Sequence, residues 1–140
     1  MKHIITFRTD KFNPSTEDKN LSNPYAGQSV LTWLRTTVFP TDFQCTIPDY
    51  EDWGWYMDVI NANLKYMVGA SCFWEQGAPE KGAPEKPDQE WLIQVVKERS
   101  LVDSILSRNK MTHDDSVAAI IVEALRCENS INDIEIEFIR

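Results

Sequence analysis

The residues most able to do chemistry in this 140-residue chain are Asp49-Tyr50-Glu51-Asp52-Trp53-Gly54-Trp55-Tyr56, three acids and four aromatic rings in eight positions. Two functions fit that mixture. Paired carboxylates can divide the roles of acid and base, so Asp49, Glu51 and Asp52, with Glu75, could hydrolyse a sugar or similar substrate flanked by tryptophan, or with Trp53 line a pocket that only binds a small ligand. Alternatively, Trp and Tyr dominate the hot spots of protein interfaces, and acids around them steer a basic partner. Asp49, Tyr50, Glu51, Asp52, Trp53 and Trp55 would then be the partner-binding residues. A structural reading uses the same residues: Trp53 and Trp55 alternate in phase with Met57 and Val59, as core anchors on one strand face do, while the acids cap the preceding turn. The aromatics could also serve only to hold copies of the chain together in a homo-oligomer.

Other chemistries find little support. His3 and His113 are the two histidines and stand at opposite ends of the chain. His113-Asp114-Asp115 sets a histidine beside two acids, but successive side chains on a helix diverge by about 100°, so they do not converge on one ion. A cluster of acids in the first turn of a helix, favoured by the helix dipole, is the simpler reading. A catalytic thiol needs an exposed, electropositive setting with a histidine partner. Cys72 falls on the face expected to be buried, and Cys45 near a strand end. No nucleophile elbow or phosphate-cradling glycine loop occurs, and two of the five glycines lie in a repeat. The expectation is no catalytic residues, no metal and no cofactor.

Charge bears on partners. Fourteen Lys and Arg stand against twenty-two Asp and Glu, for a net charge of −8. Nucleic-acid binding requires clustered cations to neutralise phosphates, and adsorption to an anionic membrane requires them too. Neither is expected, whereas a basic protein partner is the natural charge complement. The same charge also serves simply to keep a protein soluble. No apolar run approaches the about 18 residues of a membrane span, and the first ten residues lack the apolar stretch of a signal peptide. Three widely spaced cysteines without a Cys-x-x-Cys pair suggest reduced thiols, hence a cytoplasmic protein.

The string Glu51-Asp52-Trp53-Gly54-Trp55 before a hairpin resembles a pattern of small uncharacterised bacterial proteins, a resemblance that implies no activity. In size, acidity and class the chain is similar to bacterial immunity proteins, which implies an inhibitor that blocks a basic partner.

These residues need elements to position them. Residues 2–8 read as a first strand. Asn23-Pro24 signals a helix start, followed by Ala26, Val30, Trp33, Leu34 and Val38 at helical spacing until Pro40. Residues 42–47 read as a short strand. From Trp53 to Ile60 and from Leu64 to Trp74 the chain alternates on either side of Asn61-Ala62-Asn63, a hairpin. Gly-Ala-Pro-Glu-Lys occurs twice in tandem over 77–86, within an exposed loop expected over 76–89. Residues 90–97 are rich in β-branched side chains and favour a strand. Ser100 with Asp103 and Thr112 with Asp115 read as capping boxes opening two helices. In the second, Val117, Ile120, Ile121, Ala124 and Leu125 form an apolar stripe. Ile134, Ile136 and Phe138 alternate with Glu135 and Glu137 in a closing strand. The pattern predicts one domain over 1–140: an α+β fold with a single largely antiparallel sheet of five to six strands and about three helices on one face.

Overall fold

The computed structural model describes residues 1–18, 25–73 and 88–140. Along the chain the elements are β1 (Lys2–Thr9), a 3-10 turn (Pro14–Thr16), β2 (Tyr25–Ala26), α1 (Gln28–Trp33) running into a π-helical stretch (Leu34–Val38), β3 (Gln44–Cys45), β4 (Asp49–Glu51), β5 (Gly54–Asn61), β6 (Leu64–Phe73), β7 (Gln89–Glu98), α2 (Leu101–Ile105), α3 (Ser116–Arg126) and β8 (Ile131–Ile139). The fold is α+β, with one open antiparallel sheet in the order β3-β5-β6-β7-β1-β8, β2 lying on β6 and β4 on β5. The sheet has eight strands, not five to six. The additions are the two-residue β2, which lies where a helix was expected, and the three-residue β4, which lies where a turn was expected. Both are too short to show any period of their own.

Alternation explains the long strands. In β1 His3, Ile5, Phe7 and Thr9 are buried while the residues between them are half-buried. Register carries this parity across the sheet, because paired residues point to the same side: Ile5 opposes Ile93, Val68 opposes Val95, and Met57 opposes Val68. One face therefore joins Ile5, Phe7, Met57, Val59, Val68, Trp91 and Ile93 to Val30, Leu31 and Leu34 of the first helix and to Val117, Ile121 and Leu125 of α3, in a single core cluster. The opposite face is not covered by any described helix. Ile4, Tyr56, Ile60, Met67, Leu92 and Val96 lie half-buried along it.

The helices differ from expectation in detail. Asn23-Pro24 lies outside the described residues, and α1 begins at Gln28, its amides capped by the distant Glu17 carboxylate. That group accepts hydrogen bonds from the backbone N–H of Gly27 (2.9 Å), Gln28 (3.0 Å) and Ser29 (3.0 Å), and from the Ser29 hydroxyl (2.6 Å). Sequence spacing could not reveal a cap supplied from 10 to 12 residues away. The α3 cap is Asp115 and not Thr112, its side chain accepting from Val117 N at 2.9 Å. The buried stripe of α3 is Val117, Ala118, Ile121, Val122 and Leu125. It is rotated from the expected stripe because α3 packs against both β8 and Leu34–Val38, which leaves Ile120 and Ala124 only half-buried. The 64–74 strand runs to Phe73, residues 90–97 are indeed strand, and the tandem repeat lies outside the described residues.

Candidate functional site

The acidic-aromatic segment forms a hairpin. Asp49 pairs with Tyr56, Tyr50 with Trp55 and Glu51 with Gly54, which leaves Asp52 and Trp53 as the two turn residues. Gly54 closes the turn at φ +153°, where a Cβ would also stand 2.6 Å from the Ala70 carbonyl oxygen. The position thus requires glycine on two counts.

That turn separates the two tryptophans. Trp55 is 3% exposed and sits in the core with Met57 and Val59. Trp53 precedes the strand and folds onto the opposite, open face of the sheet, its six-membered ring lying across Gly69 and beside Gln94. The expectation that both share one strand face is corrected: alternation holds from Trp55 onward, and the turn before Gly54 breaks it. Tyr50 leans from above onto Trp55, rings edge to face at 5.5 Å between centroids, and remains 41% exposed.

The acids share the hairpin with Trp53. Asp49, Glu51 and Asp52 are all exposed, and Asp49 stands on the same sheet face as its partner Tyr56. The Tyr56 hydroxyl registers their field: Asp49 most strongly, then partial burial, Glu51 and Asp58 push its pKa above the usual tyrosine value. Asp58 pairs with Lys65 at 3.6 Å, and Lys65 also meets Glu98 of β7 at 3.3 Å. The segment therefore presents an aromatic ring seated on the backbone of Gly69 in a hairpin that also carries three exposed carboxylates. Its acids are exposed, and Glu75, the fourth carboxylate of the hydrolytic reading, lies outside the described residues.

A second polar cluster escaped sequence reasoning. Asp115 is 6% exposed, and both of its oxygens are engaged. Oδ1 caps α3, while Oδ2 accepts from the Tyr66 hydroxyl at 2.9 Å and faces Lys97 Nζ at 4.0 Å. Burial, and then the bond to Asp115, push the Tyr66 hydroxyl well above its ordinary pKa, so it stays a proton donor. Nearby, His3 Nε2 donates to the His113 backbone oxygen at 3.0 Å. The two histidines that are far apart in sequence thus meet, but through a ring and a carbonyl. Among the described residues no cluster of His, Cys, Asp and Glu is placed to hold a metal. Asp115, Tyr66 and Lys97 satisfy one another, which makes the cluster a brace between sheet and helix. The only sequence signal for it was the polar pair Tyr66 and Lys97 at core-facing parity in their strands.

The thiols are quiet. Burial, helped by Glu17 and Glu90, pushes the Cys72 thiol up to about 12. Burial raises Cys45 against the opposing pull of Arg35, and a hydrogen bond to Glu123 raises Cys127. No helix among the described residues is long and apolar enough to cross a membrane. Compared with known proteins, the chain matches no family model, no curated protein and no solved structure.

Proposed function

We propose that this chain is a non-enzymatic protein-binding domain of the immunity-inhibitor type, which blocks a basic partner with the hairpin 49–56 and the adjoining open sheet face. The observation that carries this reading is the setting of Trp53: half-buried, lying over Gly69, and in one hairpin with exposed Asp49, Glu51 and Asp52. A rigid aromatic anchor loses little entropy on binding, and carboxylates around it accelerate encounter with a cationic surface. Trp55 and Tyr50 have different parts in this proposal. Trp55 supports the hairpin from within, and Tyr50 offers its exposed edge to the partner.

The test is capture of a partner by the purified protein from extract of its own source, at low and at high salt, with the wild type beside the Glu51→Lys, Asp52→Lys double variant. The expected result is a stoichiometric basic protein, weakened by salt and lost in the variant, whose thermal midpoint matches the wild type. Equal capture by the variant overturns the site. Absence of any partner at either salt overturns the function and directs attention to small ligands.

A further inference from the structure

Helix α2 exposes nearly all of its apolar surface. Leu101, Val102, Ile105 and Leu106 are 77%, 53%, 71% and 58% exposed. At about 100° per residue these four fall within an arc of about 140° and form one continuous patch. Single apolar residues on a surface need no explanation, but a contiguous patch marks a place where something binds.

The patch is held stiffly. Ser100 caps the first turn through Asp103 N at 3.0 Å. At the other end Arg108 N bonds to Asp103 O (2.9 Å) and Ser107 N to Ser104 O (3.3 Å), with Ser107 at φ 52°, the geometry of a Schellman cap. An apolar contact usually closes that motif; here the ion pair of Arg108 Nε with Asp103 Oδ1, at 2.8 Å, takes its place. Arg99 adds hydrogen bonds to the backbone oxygens of Asp103 (3.0 Å) and Arg108 (3.1 Å). Polar groups do all of the bracing, and the four apolar side chains are left facing outward.

The same molecule carries a complementary shallow groove of about 540 Å³, wide open to solvent, between α3 and the α1 continuation. Trp33, Val38, Ile120 and Ala124 make its walls, with Glu123 and Glu128 at the rim; Lys11 lies 3.6 Å from Glu128 and 5.6 Å over the Trp33 ring, so two acids outweigh one cation there. Around α2, residues 99–110 hold Arg99, Arg108 and Lys110 against the single acid Asp103, a basic segment in a chain of net charge −8. An apolar knob with basic flanks matches an apolar groove with an acidic rim. A symmetric contact of α2 with α2 would instead bring the two basic segments together.

We infer that α2 of one copy docks in the α1–α3 groove of a second copy. The contact joins two different surfaces, so the assembly either closes, as a reciprocal dimer or a ring, or leaves one free knob and one free groove and grows head to tail. This inference does not depend on the partner-binding reading of residues 49–56.

Sedimentation velocity of the full chain across a concentration series tests it, with Ile105→Glu in the knob, Ala124→Arg in the groove, and Leu101→Gln as a second knob variant. The expected wild-type mass rises with concentration above that of the monomer. Each variant alone stays at the monomer mass with unchanged circular dichroism. An equimolar mixture of Ile105→Glu and Ala124→Arg forms dimers and nothing larger, because it retains one intact knob and one intact groove. A wild type that stays monomeric at every concentration overturns the inference. So does assembly that survives Ala124→Arg while Ile105→Glu or Leu101→Gln abolishes it, since the knob then binds something other than this groove.

Discussion

The ring of Trp53 fills the space that a side chain at Gly69 would need: a Cβ there would stand 2.6 Å from the indole Cη2 and 2.8 Å from Cζ3. Gly69→Ala should therefore displace the indole and cost about 1–3 kcal/mol as overpacking. In a Trp53→Ala background the same substitution should cost much less, because only the flexible Gln94 side chain, at 3.1 Å, then stands close. A double-mutant cycle by denaturant unfolding measures that coupling. Equal costs in the two backgrounds would show that Trp53 does not rest on Gly69, and would remove the rigid anchor from the proposed interface.

The Asp115 brace makes a graded prediction. Tyr66→Phe removes one hydrogen bond while its partner keeps other contacts, and should cost about 1 kcal/mol. Asp115→Ala removes the α3 cap and strands Lys97, whose side chain is 11% exposed, with its charge unpaired. That loss should reach about 3–5 kcal/mol. The difference between the two variants in urea unfolding is the readout, and similar costs would mean that Lys97 finds another partner.

Glu17 should behave as a structural residue although it lies in a loop. Its carboxylate takes the first amides of α1 and the Ser29 hydroxyl. Glu17→Ala should lower stability by about 1.5–3 kcal/mol, as expected for hydrogen bonds to a charged group. Amide exchange should accelerate first at Gln28 and Ser29. Unaltered protection there would refute the cap.

Alkaline pH should destabilise the fold. Cys72 and Tyr66 both have pKa values raised in the folded state, from ordinary values of 9.0 and 10.0. In the unfolded chain they release their protons at lower pH, so the stability they contribute is complete below about pH 9 and is lost as pH rises toward 12. Denaturant midpoints measured from neutral pH upward should be flat and then fall through this window. In parallel, alkylation at neutral pH should reach the exposed Cys127 and spare the buried Cys72.

Sequence alone determined what short-range periodicity can carry. The β5–β6 hairpin, α3, the closing strand and the α+β class follow from alternation or helical spacing within single segments, because a strand or helix must turn one set of side chains inward wherever it packs. The acidic-aromatic concentration at 49–56 was equally legible as composition. Tertiary structure alone decided which of those residues reach the surface. Whether Trp53 joins Trp55 in the core depends on the turn at Gly54, and a one-residue change in where a strand begins sends a side chain to the other face. The Glu17 cap and the union of Asp115 with Tyr66 and Lys97 are contacts between distant segments. No local pattern encodes such contacts, because their energy arises only after the sheet has brought the segments together.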